Sequence, residues 1–368
     1  MKITFLSPSL NMSGGTKVMA IYADYLLKQG HDVSVVFTPV AAKPSFRQWL
    51  RNALRLKFHY PIIQASHFDQ LNVKTHLIDS YRPIGNDDVP DADIVIATWW
   101  ETCEWLQHLD DTKGKKVYFI QGHEIFNDIP KSRAIATYKT DMTKIVVSKW
   151  LKDVIEEQYQ SNNIKLVLNA IDTDNFYFNK RSKNETPTIG FLVGESHVKA
   201  LDIALKVVVE LKKIHPNLQV NCFGVHRPTN LPVDDQFKFH LLPTQHEIRE
   251  IYASCDVWLA VSRSEGFNLT AMEAMACGTP VVSTNTGWPV AAIKPFKNGF
   301  LTDVDDVLSL VDGVNWFLNL PNSVWQSCSV SANETTRGSS WEKSASMFES
   351  VLIDCAAGKN DERHPTID

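Results

Sequence analysis

The stretch SRSEGFNLTAMEAMACGTPVV, Ser262 to Val282, decides how this chain is read. Just upstream, the apolar run Val257 to Ala260 reads as a short strand entering a Ser/Gly turn. Downstream, a helix is expected from about Asn268 to Ala276. Free backbone N–H groups at such a helix start, with the positive end of its dipole, favour a bound phosphate. Gly266 lets the backbone come close to it. Glu265 stands before the helix and Glu273 on its second turn, so carboxylates that accept from hydroxyls sit on either side of the phosphate position. A nucleotide-sugar, with sugar, diphosphate and ribose in that order, is such a ligand. Alone, two glutamates eight residues apart would read as solvated surface side chains.

A resemblance tips that balance. The segment resembles the signature of retaining glycosyltransferases of family 4, where E-x7-E sits before A-M-A-C-G-x-P-V-V. The likeness spans roughly Met1 to Leu301. It implies an α/β architecture of two Rossmann-like doubly wound domains facing across a cleft, the GT-B fold. It also implies sugar transfer from a nucleotide-sugar donor with retention at the anomeric carbon; no metal is expected, because helix amides and cations already supply the counter-charge.

Composition agrees with a globular enzyme of about two domains, on a soft prior of about 150 residues each. The chain has 368 residues, of which 44% are apolar, enough for two cores. A net charge of −5 gives no general pull toward nucleic acid, so no such partner is expected. Six scattered cysteines with no Cys-x-x-Cys pair fit buried thiols in a reducing cytosol better than a disulfide framework or zinc site. The start MKITFLSP reads as a first strand, and no run of eighteen apolar residues occurs. A cytoplasmic protein is expected, with peripheral attachment to the inner face of the plasma membrane as an added expectation.

Strands and helices alternate, which predicts parallel sheets covered on both faces. In the first half, strands are expected at Lys2–Leu6, Val33–Phe37, Ile94–Ala97, Val117–Ile120, Lys144–Val147 and Lys165–Leu168. A helix over about Thr16 to Gln29 stops at Gly30. A second series begins at Thr188–Val193, followed by a helix over Leu201 to Ile214 and a strand at Val220–Phe223. Thr244 and Glu247 have capping-box spacing. Asn179 to Pro187 is the expected linker, and Trp341 to Ala356 reads as a last helix. The domains are placed at 1–170 (acceptor side), 171–335 (nucleotide-sugar side) and 336–368, a helix packing back on the first domain with a loose tail.

Several motifs follow strand ends, where ligands bind in open α/β sheets. The turn NMSGG puts Gly14 and Gly15 after the first strand, where their N–H groups could reach a diphosphate; a plain turn pair is the bland reading. The pattern is not G-x-G-x-x-G, and no acidic residue ends the second strand, which disfavours a nicotinamide enzyme. FIQGHEIF puts His123 and Glu124 just past an apolar strand. The resemblance places His123 by the donor sugar, with Glu124 the weaker candidate, and His31 is read as structural. NAIDTDNF, from Asn169, resembles the family's crossing into the second domain, with Asp172 and Asp174 in turn and capping chemistry rather than on a metal.

The family's G-R-x-x-x-x-K-G appears as GESHVKA, from Gly194 to Ala200. Lys199 matches the lysine that neutralises the diphosphate, whereas Glu195 replaces the arginine and Ala200 the glycine. Arg263 is the expected substitute cation. Asn268 replaces a glycine of E-G-F-G-L and adds an amide for a donor hydroxyl. The segment TGWPV, Thr286 to Val290, stands for G-G-x-P-E without its glutamate.

The resemblance therefore assigns His123 and Glu265 to catalysis. The resemblance, with Arg263 and Asn268 read from this chain's own departures from it, assigns Gly14, Gly15, Lys199, Arg263, Gly266, Phe267, Asn268, Leu269 and Glu273 to the donor. The acceptor is expected to be a glycan, lipid-linked or small molecule, in cell-surface polysaccharide or glycoconjugate synthesis. Residues 43–59 are basic, with Arg47, Arg51 and Arg55 on one helical face, which suits an anionic membrane surface or acceptor. The competing readings are a catalytically impaired nucleotide-sugar-binding protein and a sugar-nucleotide epimerase of related fold.

Overall fold

The computed structural model describes residues 1–40, 65–126 and 129–358. The basic segment 43–59 lies outside them. The chain divides into two compact units: Met1–Val146 with Ile155–Val167 and Ala345–Asp368, and Val147–Val154 with Leu168–Ser344.

The first unit holds seven parallel strands: β1 (Lys2–Ser7), β2 (Asp32–Phe37), β3 (Lys74–Leu77), β4 (Ile94–Ala97), β5 (Lys115–Ile120), β6 (Thr143–Val146) and β7 (Ile164–Leu166). Their order is β3-β2-β1-β4-β5-β6-β7. Central strands such as β4 are apolar and buried at every position, as a sheet covered on both faces requires. β3 escapes a reading by hydrophobic runs because it is a short edge strand with mostly exposed side chains, Lys-Thr-His-Leu.

The Gly14–Lys28 helix starts at Ser13, whose hydroxyl accepts from Thr16 N. It stops at Gly30, which holds φ +88°. The last helix, Trp341–Ala356, carries Phe348 onto this core. Its ring stacks on Tyr22 at 4.5 Å and meets Phe119 edge-on at 5.1 Å. Glu349 reaches His31 Nε2 at 2.8 Å, consistent with a structural His31.

The second unit repeats the pattern with β8 (Thr188–Leu192), β9 (Gln219–Gly224), β10 (Phe237–Leu241), β11 (Val257–Ala260), β12 (Val281–Thr284) and β13 (Gly299–Thr302). The order is β10-β9-β8-β11-β12-β13, again all parallel. The Leu201–Ile214 helix has the expected bounds. Its buried stripe is Ile203, Ala204, Val207, Val208 and Leu211, with Leu201 and Leu205 at the edge. The Thr244–Glu247 capping box forms as its spacing predicts.

Asn179 to Pro187, the expected linker, lies inside the second unit and packs on it. Arg181 lies over Trp325 at 4.6 Å, and Lys183 Nζ donates to the carbonyls of Leu318 and Leu320 at a helix end. After Leu320 comes a regular helix, Asn322–Thr335, that hydrophobic periodicity does not announce. Its sequence NSVWQSCSVSANET is rich in Ser, Asn and Cys, so the apolar stripe is thin although Trp325, Cys328 and Ala332 are buried.

All six cysteines are free thiols, five of them buried. Among the described residues no helix is long and apolar enough to cross a membrane.

Candidate active site

In each sheet the strand order reverses beside one central pair, β1 with β4 and β8 with β11. Ligands of open α/β sheets bind beyond the carboxyl ends of such strands. In the second unit, β8 feeds the turn that carries Lys199, and β11 feeds the turn that carries Glu265. The sheet therefore brings together two residues 66 positions apart.

Lys199 Nζ donates to Glu265 Oε1 at 2.6 Å, and Ser262 Oγ donates to the same oxygen at 2.7 Å. Lys199, Glu265, Ser262, Asn268 and Thr270 line one pocket with Leu192 and the end of β11. Gly194 lets the lysine lie back across its own turn: a Cβ there would meet Lys199 Cγ at 2.7 Å. Glu195, in place of the family arginine, is exposed and is not the partner of Lys199.

The turn into the Leu269–Ala276 helix is built by Asn268, which adopts a left-handed backbone at φ +76° and ψ +68°. That conformation accommodates an asparagine where the resemblance has glycine, since Asn is among the few side chains at ease in it. Asn268 Oδ1 caps the helix through Ala271 N at 3.3 Å and accepts from Thr270 Oγ1 at 2.9 Å. Its Nδ2 is buried without a hydrogen-bond partner. Phe267 is buried and stacks on Trp288 at 5.8 Å, and Trp288 N donates to Phe267 O at 2.7 Å. Gly287, at φ +69°, makes that approach possible: a Cβ would lie 2.7 Å from Phe267 O and 3.1 Å from Glu265 Cβ. Gly266 is buried in the same turn, and Leu269 opens the helix.

Two of the expected donor residues are engaged by protein partners. Arg263, read as the substitute cation, forms a two-pronged pair with Asp202 at 2.8 and 2.9 Å. It also donates to Asp305 at 2.7 Å and to the His197 carbonyl at 2.9 Å. Its charge is compensated by two carboxylates, and it clamps the Lys199 turn instead of facing an open phosphate position. Glu273 accepts from the buried Tyr252 hydroxyl at 2.9 Å and is not among the residues that line the Lys199–Glu265 pocket.

In the first unit, Gly14 and Gly15 open the Gly14–Lys28 helix, and Gln121 Nε2 donates to Gly15 O at 3.1 Å. His123 Nε2 pairs with Tyr159 hydroxyl at 2.7 Å, and the ring stacks on Tyr138. Burial lowers its pKa, which favours the neutral imidazole. Glu124 is wholly enclosed and accepts from Trp100 N and Tyr118 hydroxyl, both at 2.7 Å. Burial raises its pKa to about 8. Its backbone N–H donates to Tyr138 hydroxyl. Tyr118, Tyr138 and Tyr159 were invisible as partners, because on a strand or helix they read as ordinary apolar positions.

Asp172 accepts from the N–H groups of Asp174 and Asn175, the turn chemistry expected of it. Among the described residues no cluster of three or more His, Cys, Asp or Glu side chains forms a metal-ligand set.

A family model described as Glycosyl transferases group 1 matches residues 172–329, inside the second unit. An uncharacterized glycosyltransferase of Haemophilus influenzae is 24% identical over 331 residues, covering 87% of this chain and 91% of its own length. Among solved structures, a sucrose-phosphate synthase from Thermosynechococcus elongatus superposes with a TM-score of 0.71 at 14% identity, over 97% of this chain and all of its own. An Anabaena protein solved in complex with UDP and glucose gives a TM-score of 0.68 at 15% identity, over 96% of this chain and 99% of its own. The paired parallel sheets and the superpositions over nearly the whole chain agree: residues 172–329 resemble the group 1 glycosyltransferases, and the chain has the GT-B fold.

Proposed function

We propose that the protein is a retaining glycosyltransferase that moves a sugar from a nucleotide-sugar to a glycan, lipid-linked or small-molecule acceptor without a metal. The observation that carries this reading is the Lys199–Glu265 pair in a pocket at the sheet's switch point. A cation and an anion held together there can separate onto a ligand that offers phosphate to one and hydroxyls to the other.

The chemistry follows from where charge grows. As the glycosidic C–O bond breaks, negative charge builds on the departing diphosphate, so fixed cations and N–H groups there stabilise the transition state most. Lys199 and the Gly266–Leu269 amides form that set in the second unit. Glu265 holds sugar hydroxyls, and Glu273 takes the ribose once its Tyr252 bond rearranges. For Gly14, Gly15 and His123 the proposed roles are those the resemblance implies: amides for the diphosphate and an imidazole by the reacting sugar. The acceptor attacks from the leaving-group face, and the departing phosphate takes its proton. A cytoplasmic place in cell-surface polysaccharide or glycoconjugate synthesis, peripheral to the membrane, fits such chemistry.

A Glu195 carboxylate where the family has arginine, with Arg263 already compensated, favours one second reading: a nucleotide-sugar-binding protein with little catalysis. A thermal-shift screen with UDP-, GDP- and dTDP-sugars, followed by NMR of the product's anomeric configuration with and without EDTA, separates the two. Retained configuration that survives EDTA supports transfer. A donor-stabilised protein that never releases nucleoside diphosphate with any acceptor supports the second reading, and no stabilisation by any donor overturns both.

A further inference from the structure

We infer that Asn268 is a specificity-determining residue whose side-chain amide donates to an oxygen of the transferred sugar. This rests on the proposed nucleotide-sugar reading and deepens it. Asn268 is 6% exposed and lines the pocket shared by Lys199 and Glu265. Its left-handed backbone, φ +76°, would suit glycine equally well, so the conformation alone does not call for an amide. The amide is nevertheless fixed in orientation. Oδ1 is engaged by Ala271 N and Thr270 Oγ1, which leaves Nδ2 as the end that turns away from the helix. That Nδ2 is buried and has no partner among the described residues. A buried N–H pair without an acceptor is costly, and native proteins retain such groups where a ligand or water completes them.

What completes it follows from the neighbours. Lys199 supplies the charge for phosphate and Glu265 accepts from hydroxyls, so the pocket already holds one group for each end of the sugar-phosphate junction. A neutral N–H donor beside Glu265 adds a contact for an acceptor oxygen on the sugar: a hydroxyl, an acyl carbonyl or a carboxylate. Glycine at this position would leave that oxygen unread. A buried site that reads a ligand oxygen by hydrogen bonding discriminates against the analogue lacking it far more strongly than an apolar wall does.

The test compares wild type with Asn268→Gly by titration calorimetry, using UDP and UDP-glucose as probes, with GDP and GDP-mannose as the second pair. Glycine keeps the left-handed turn and loses only a few tenths of a kcal/mol of capping, so folding should be unchanged. We expect Asn268→Gly to bind the nucleoside diphosphate as wild type does and the matching nucleotide-sugar about tenfold more weakly. Equal affinity of both proteins for the nucleotide-sugar overturns the proposal. An equal loss for the diphosphate alone also overturns it, because the amide would then serve the phosphates. A wild type that binds none of the four probes and no dTDP-sugar instead brings down the nucleotide-sugar reading itself. Asn268→Asp, which keeps the cap and removes the donor, should weaken nucleotide-sugar binding at least as much as glycine does.

Discussion

Lys199 Nζ lies 2.6 Å from Glu265 Oε1, and that oxygen also accepts from Ser262 Oγ at 2.7 Å. The pair is partly open to solvent, 34% for the lysine and 13% for the glutamate, so its contribution to folding is small. Its position matters more than its strength. A ligand that brings both an anion and hydroxyls can replace each partner with a better one, and the pocket loses no hydrogen bond in the exchange.

Removing one partner should therefore harm the reaction without harming the fold. Lys199→Ala is expected to lower kcat/KM about 100-fold, the range seen when one charge-stabilising donor is deleted, and to shift Tm by no more than about 2 °C. Glu265→Gln should cost a similar amount. The double variant should fall well short of the product of the two losses, because both residues act on one ligand. Multiplicative losses would mean that the two act separately.

Arg263 makes a different prediction from the one its sequence position suggests. Paired with Asp202 and Asp305, it ties the Lys199 turn to two other segments. Arg263→Ala and Asp202→Ala should destabilise the protein by similar amounts, about 1 kcal/mol or 2–4 °C in Tm, and weaken binding of the nucleotide-sugar that stabilises the wild type in parallel. If Asp202→Ala left donor affinity intact while Arg263→Ala abolished it, the arginine would be a phosphate cation after all.

Much of the fold was legible in the residues. The bounds of Val257–Ala260, Leu201–Ile214 and Trp341–Ala356 match their helical or strand periodicity, because each is long or apolar enough for one period to dominate. β3 and the Asn322–Thr335 helix were not legible, since an exposed edge strand and a Ser-rich helix carry little hydrophobic signal. Within the site, the Lys199 and Glu265 turns could be placed at strand ends, yet their mutual contact depends on strand order. The fate of Arg263 was hidden for the same reason: Asp202 and Asp305 lie 61 and 42 residues from it.

Ala200 carries a cost that sequence alone could not show. It occupies a left-handed backbone, φ +51°, at the start of the Leu201–Ile214 helix, where the resemblance has glycine. Strain of a Cβ there is about 1 kcal/mol, partly offset by the smaller unfolded-state freedom of alanine. Ala200→Gly relieves that strain but also removes a methyl buried in the second unit's core, worth about 0.8 kcal/mol, so the two should nearly cancel and Tm should stay within about 2 °C. A Tm lowered by about 3 °C or more in a calorimetric melt would show that the turn absorbs the methyl without strain.

Glu124 ties the first unit's stability to pH. Enclosure raises its pKa from the ordinary 4.5 to about 8, so the folded state favours the protonated acid. A group raised in this way supports folding fully below its unfolded pKa, and the support is lost as pH climbs toward the folded value. The affected window therefore runs from about 4.5 to about 8. Glu124→Gln keeps an oxygen to accept from Trp100 N and Tyr118 hydroxyl but has no charge to form. Melts of the two proteins from pH 5.5 to 8.5 should diverge, the glutamine variant gaining up to about 1.4 kcal/mol on wild type per pH unit. Other titrating groups cancel in that difference, since both proteins share them. A constant gap across the range would mean that water reaches the carboxylate, and that Glu124 is ionised in the folded protein throughout.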